Sequence, residues 1–170
     1  SDLCSQNTKI LIDAGITFKK VKEFMDFFNL DPMEIQGIII SHEHSDHVNG
    51  AGVLSRKIKA PIYITQNTFN RSSHKLGKLD VDPVHFKVGE SFIINDIKIK
   101  PFTSSHDAVD SSNFLISHVD NESRKLAIAT DLGYSPQILI NNLKQASTVI
   151  LESNHDLKML MDGPYDWQLK

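Results

Sequence analysis

The chain turns abruptly from apolar to polar at residues 37–47, which read Gly-Ile-Ile-Ile-Ser-His-Glu-His-Ser-Asp-His. Three consecutive isoleucines predict a strand buried on both faces, as in the parallel sheets of α/β proteins. Apolar residues then recur at helical spacing (Val48, Ala51, Leu54 and Ile58), which predicts a helix starting near residue 46 or 47. The polar cluster therefore lies at the end of a buried strand, where open α/β sheets bind their ligands.

The residue types in this cluster are those that bind metal ions. His42 and His44 are two apart on an extended segment, so their side chains point the same way and can hold one cation such as Zn²⁺. Asp46 and His47 follow where the chain turns, and they could serve a second cation nearby. The alternative is a solvated polar loop, but three of only eight histidines in 170 residues fall within six positions, which favours a metal site.

Residues 42–47 resemble the H-x-H-x-D-H motif of the metallo-β-lactamase-fold hydrolases. Within that superfamily, Leu-Ile-Asp-Ala-Gly at 11–15 and Leu-Glu-Ser-Asn-His-Asp at 151–156 are similar to the bacterial YycJ/VicX (WalJ) branch. The resemblance extends over essentially the whole chain, more loosely at 1–8 and 71–81. It implies an α/β fold (α+β in some schemes), namely an αββα sandwich with two mixed sheets.

The same resemblance implies how the ligands are shared. His106, within Ser-Ser-His-Asp at 104–107, matches the third metal motif and would complete a three-histidine set with His42 and His44. Asp46 and His47 would hold the second metal.

Two aspartates complete the implied site. Asp131 follows a predicted strand at 124–130 and would bridge the two cations, since a carboxylate can offer one oxygen to each. Asp13 would hydrogen-bond the ligand loop without binding metal. The alternative for Asp13 is a surface turn before Gly15.

Composition limits the class of protein. A chain of 170 residues, 40% of them hydrophobic, predicts a single domain over residues 1–170. Eighteen basic and 21 acidic side chains give a formal charge of −3, so no global positive field attracts nucleic acid, and any such binding must be local. Cys4 alone excludes an internal disulfide. No apolar stretch predicts a signal or membrane segment, so we expect a cytoplasmic protein without a membrane partner.

Further elements follow from periodicity. An amphipathic helix is predicted over 17–29, a helix near Thr65, another after Ser135-Pro136, and a basic, turn-rich segment over 71–78. From Val84 onward, the pattern predicts an antiparallel meander. The strands are predicted at 9–12, 61–64, 92–94, 97–102, 113–116, 124–130 and, as a further buried strand, 148–151. No function is predicted for His74, His85 or His118.

The C-terminal region departs from the resembled family. The second half of that fold supplies a last histidine to the second metal, but no histidine follows His155. Residues 167–170 resemble the opening of a helix. We therefore expect a fragment with an incomplete second half that lacks a C-terminal part; whether it also lacks the first hairpin stays open.

The chemistry that this site implies is hydrolysis. Two divalent cations, Zn²⁺ or Mn²⁺ with Fe²⁺ also acceptable, would lower the pKa of a shared water. The resemblance to the YycJ branch implies a phosphodiesterase, specifically a DNA exonuclease, with Asp46 and His155 as catalytic residues. His155 would protonate the leaving oxygen or contact the phosphate, the alternative being a structural histidine. Two other functions stay open: a small-molecule hydrolase of the glyoxalase II or β-lactamase kind, and a metal-binding fragment without catalysis.

Overall fold

The computed structural model describes the backbone of residues 2–4, and residues 8–133 and 136–152 in full. Its first sheet has five strands in chain order, parallel except for β1, which pairs antiparallel with β2. The strands are β1 (Asp2–Cys4), β2 (Lys9–Ile12), β3 (Ile35–Ile39), β4 (Ile62–Ile64) and β5 (Val84–His85).

Four helices and a short 3₁₀ turn (Pro32–Glu34) accompany this sheet. The helices are α1 (Phe18–Phe27), α2 (Ser45–Val48), α3 (Ala51–Ile58) and α4 (Gln66–Leu76). Their buried residues form one apolar cluster with Ile35 and Ile38 of β3 and with Ile40, which follows that strand.

The second sheet also has five strands, in the order β10-β9-β8-β7-β6. Strands β6 to β9 form the predicted antiparallel meander, and β10 pairs in parallel with β9. They are β6 (Phe92–Ile94), β7 (Ile97–Thr103), β8 (Ser112–His118), β9 (Asn121–Ala129) and β10 (Thr148–Leu151).

The two sheets pack face to face. Ile10 and Ile39 of the first sheet share a buried cluster with Ile99, Phe114 and Ile128 of the second. On the outer face of the second sheet, α5 (Gln137–Leu143) packs through Leu139 against another cluster. The layers are therefore helix, sheet, sheet and helix, which confirms the αββα sandwich.

Three local predictions need correction. The helix after the polar cluster starts at Ser45, close to the predicted position, but it is interrupted at residues 49–50 and so forms two helices, α2 and α3. Residues 71–76 belong to α4 and not to a turn-rich loop, because Thr65 caps the helix and Thr68, Ser72 and Leu76 form a buried stripe at helical spacing. The strand at 148–151 exists but is not buried: its apolar side chains are 41% to 51% exposed, since β10 has β9 as its strand partner at the edge of the sheet.

No helix in the described ranges is both long and apolar enough to cross a membrane.

Candidate metal centre

Four polar segments meet at one end of the sandwich because each follows a strand. Asp13 follows β2, residues 41–47 follow β3, His106 lies in the loop after β7, and Asp131 follows β9. The strands β2 and β3 are parallel neighbours, so Asp13 and the polar cluster leave the first sheet at the same edge. The loops after β7 and β9 meet them from the second sheet.

Three histidines converge on one point. The Nδ1 atom of His44 lies 3.1 Å from Nε2 of His42 and 3.0 Å from Nε2 of His106. In the structure, these three residues form one of the groups whose ligand atoms all lie within 4.8 Å of one another. Ligands about 2.0–2.1 Å from a tetrahedral Zn²⁺ stand roughly 3.3–3.4 Å apart. The nitrogen spacing therefore fits a single cation after a small outward adjustment of the rings.

A second group lies directly beside the first and shares His42 with it. It consists of His42, His47 and Asp131, again within 4.8 Å. The Nε2 atom of His47 is 3.2 Å from an oxygen of Asp131 and 3.3 Å from an oxygen of Asp46. Asp46 stands at the rim of this group, with 78% of its side chain exposed. Five of the six predicted ligands therefore fall in these two groups, and the sixth, Asp46, lies at their rim.

Asp13 supports the cluster from below. Its carboxylate accepts hydrogen bonds from the Ser41 backbone N–H and hydroxyl, both at 2.8 Å, and from Nδ1 of His47 at 2.9 Å. The expected hydrogen bonding to the ligand loop is confirmed, and the surface-turn alternative is wrong. A proton held on Nδ1 leaves the Nε2 lone pair of His47 free for a metal.

Ser41 orients His42 in the same manner. Its single hydroxyl proton is donated to Asp13, so the hydroxyl oxygen accepts from Nδ1–H of His42 at 2.9 Å. That tautomer leaves Nε2 of His42 without a proton, and Nε2 is the atom that faces His44. One aspartate therefore sets the orientation of two candidate ligands.

The electrostatic environments of the two shared histidines differ. Burial, and then the nearby charge of His47, lower the pKa of His42 to about 4. Burial would also lower the pKa of His47, but the hydrogen bond to Asp13 and the charges of Asp13, Asp131 and Asp46 raise it to about 9. In the metal-free protein, His42 is therefore neutral, whereas His47 carries a proton on both ring nitrogens. A bound cation would displace the proton on Nε2.

Two contacts between loops were not predicted from the sequence. The Glu43 carboxylate, between the first two histidines, accepts the Val109 N–H at 3.1 and 3.2 Å and so ties the ligand loop to the loop of His106. Gly15 packs so closely that a Cβ atom there would lie 1.6 Å from the Asp46 carbonyl oxygen. Glu43 stood within the motif, but nothing local in the sequence indicated its partner 66 residues away.

The end of β10 lies beside Asp131. The Glu152 N–H donates to the Ala129 carbonyl at 3.0 Å, and the Glu152 carboxylate accepts the Asp131 N–H. The strand that leads toward residue 155 therefore ends beside Asp131. His155 lies outside the described residues.

A four-layer αββα sandwich with histidines and aspartates gathered at the ends of its central strands is typical of metal-dependent hydrolases of one superfamily. Residues 8–167 match the family model described as a beta-lactamase superfamily domain. The chain therefore belongs to the β-lactamase superfamily.

Within this family, the chain is similar to two named exonucleases. It is 38% identical over 163 residues to the exodeoxyribonuclease YycJ of Bacillus anthracis, covering 95% of this chain and 61% of that protein. It is 35% identical over 165 residues to the exodeoxyribonuclease WalJ of Streptococcus pneumoniae, covering 95% of this chain and 60% of that protein. The chain thus spans about three fifths of the length of these relatives.

Solved structures agree on the fold. PqqB from Methylobacterium extorquens in its Zn²⁺-bound form superposes with a TM-score of 0.70 at 14% identity, covering 89% of this chain and 58% of that one. A metallo-β-lactamase of Cronobacter sakazakii gives a TM-score of 0.68 at 11% identity, covering 88% and 72%. At such identities, the likeness concerns the fold alone.

Proposed function

We propose that this protein is a metal-dependent phosphodiesterase that removes nucleotides from DNA, an exodeoxyribonuclease. The observation that carries this proposal is the pair of adjacent ligand groups sharing His42, in a chain similar to exodeoxyribonucleases over 95% of its length. Hydrolysis of a phosphodiester suits a site where two cations can flank one phosphate.

The donor set fits two divalent cations. His42, His44 and His106 would hold one, Asp46 and His47 the other, and Asp131 would bridge them. Imidazole and carboxylate together accept Zn²⁺, Mn²⁺ or Fe²⁺. When bound, such a pair acts as a Lewis acid and lowers the pKa of a shared water.

Residues of the chain supply the remaining functions. Asp13 and Ser41 hold His47 and His42 in the tautomers that present Nε2. The Asp46 carboxylate is largely exposed yet only 3.3 Å from Nε2 of His47, so it can accept the proton of an attacking water. We assign Asp46 this catalytic role in addition to metal binding.

We further propose that His155 gives a proton to the leaving oxygen. The support for this role is the position of Glu152, three residues before His155 at the end of β10, where its carboxylate accepts the backbone N–H of Asp131. General acid catalysis typically contributes 10²–10⁴-fold. His155→Ala should keep the metal content and lose at least about 10² in rate on DNA, but much less on an activated aryl phosphodiester. Loss of metal would make His155 a ligand, and unchanged rates on both substrates would leave it structural.

One set of assays tests the function. The purified protein, loaded in turn with Zn²⁺ and Mn²⁺, is given end-labelled DNA, a chromogenic β-lactam and a glutathione thioester, alongside a His42→Ala/His44→Ala variant. We expect DNA to be shortened from its ends, and the variant to lose both metal and activity. Turnover of the lactam or thioester without DNA cleavage would indicate a small-molecule hydrolase, and no turnover would indicate a metal-binding protein without catalysis; both outcomes would refute the proposal.

A further inference from the structure

Positive charge without opposing carboxylates lies beside the candidate metal centre. Between Asp46 and Asp80, the sequence has no acidic residue, although the chain as a whole has a formal charge of −3. The cations in this interval are Arg56, Lys57, Lys59, Arg71, Lys75 and Lys78. The positive charge is therefore local, and it falls on α3, α4 and the residues that follow them.

Hydrogen bonds tie two of these cations, Lys75 and Arg56, to the ligand loop and to the end of α4. Lys75 donates from Nζ to the carbonyl oxygen of Glu43, between the first two histidines, at 2.8 Å. Arg56 donates from Nη1 to the carbonyls of Leu76 and Lys78, both at 2.9 Å. Arg71 lies one helical turn before Lys75 and so on the same face of α4. We call Arg56, Arg71, Lys75 and Lys78 the basic ridge.

Two members of the ridge have no structural explanation. Cations in the last turn of a helix complement its dipole, which accounts for Arg56 in α3 and Lys75 in α4. Arg71 lies before that turn, and Lys78 lies beyond the end of α4. Neither side chain makes an ion pair with a described carboxylate, whereas Lys22 and Lys98 are paired with Asp26 and Glu122.

We propose that the basic ridge binds the backbone phosphates of a DNA strand whose end occupies the metal centre. This inference rests on the proposed function and adds where the substrate is held. Arg71 and Lys75 are four residues apart in α4, about 6 Å along its axis at 1.5 Å per residue, which matches roughly two phosphate steps of one strand at 3.4 Å each. Lys75 contacts the ligand loop, so the ridge is continuous with the metal centre. Contacts of this kind recognise the phosphate backbone and not the base sequence.

The test measures DNA binding apart from cleavage. Fluorescence anisotropy of a short labelled duplex is followed in EDTA over a range of salt concentrations, for the wild type and for Arg71→Gln/Lys78→Gln. A matched double variant, Arg124→Gln/Lys144→Gln, removes the same charge from an exposed residue of β9 and from the exposed residue that follows α5. Melting curves establish that both variants are folded, and DNA cleavage in Mn²⁺ is measured in parallel for the wild type.

The salt dependence decides the outcome. Each lost phosphate contact lowers the slope of log K against log salt by about 0.9 for duplex DNA, so the ridge variant should lose about 1.8 and bind up to roughly 60-fold more weakly at 0.1 M salt. The matched variant should keep the wild-type slope. Equal slopes for all three proteins, or equal losses in both variants, would overturn the ridge while leaving the nuclease function standing if the wild type cleaves DNA. A wild type that neither binds nor cleaves DNA would overturn both.

Discussion

Substitution of Asp13 by asparagine should weaken the second metal position selectively. The side chains are of equal size, and Oδ1 of asparagine can still accept the Ser41 N–H that Asp13 now binds at 2.8 Å. The other carboxylate oxygen is contacted by both the Ser41 hydroxyl and Nδ1 of His47. An amide NH₂ at that place is a donor, so His47 would have to accept there and carry its proton on Nε2, the nitrogen needed by the metal.

The expected loss of metal affinity follows from the replacement of this one carboxylate oxygen by an amide NH₂. Loss of a partner that orients a metal-binding histidine typically costs 10–100-fold in metal affinity, or about 1.4–2.7 kcal/mol. A hydrogen bond to a charged group is worth about 1.5–3 kcal/mol, which agrees. The cation held by His42, His44 and His106 should lose less, because Asp13 reaches His42 only through Ser41.

Two metal affinities must be resolved in the assay. Metal-free protein is titrated with Zn²⁺ in competition with a chromophoric chelator, and the two stepwise constants are compared between wild type and Asp13→Asn. Asp31→Asn is the matched control, since the Asp31 carboxylate accepts the Met33 N–H in the exposed 3₁₀ turn. Unchanged affinities in Asp13→Asn, or an equal loss at both positions, would refute the proposed control of the His47 tautomer.

Two further substitutions test how the loops are held. Glu43→Ala should lower stability by about 1–3 kcal/mol and weaken metal binding, because the Val109 N–H loses its acceptor. Glu43→Gln keeps an acceptor oxygen and should recover most of the stability and of the metal affinity. Equal effects of the two variants would contradict this role of Glu43. Gly15→Ala should cost about 3 kcal/mol or more, a fall in Tm of roughly 6–12 °C, because its Cβ would meet the Asp46 backbone at 1.6 Å. Gly89→Ala is the comparison for thermal melting: a Cβ there meets no atom within 4 Å, and only its φ of +91° strains it, by about 1–2 kcal/mol. A Gly15 variant that melts no lower than this one would show that the turn can move.

The sequence alone determined the strand of isoleucines and the cluster that follows it. Those features are local: alternation and helical spacing are set by the geometry of the backbone, and His42 and His44 are only two residues apart. The motif resemblance then extended the prediction to His106 and Asp131, which no periodicity indicates. The αββα sandwich was an implication of the same resemblance, whereas the change of pattern after Val84 predicted only the antiparallel meander.

Only the tertiary structure decided which distant groups meet. Glu43 and Val109 are 66 residues apart, and Arg56 of α3 donates to the Leu76 carbonyl at the end of α4. Such pairs depend on how the loops close and the helices pack, which the spacing of residues in the sequence does not encode. The exposure of β10 is of the same kind, because an apolar run specifies a strand but not whether anything covers it. Burial and partnership belong to the packed chain, whereas residue type and spacing belong to the sequence.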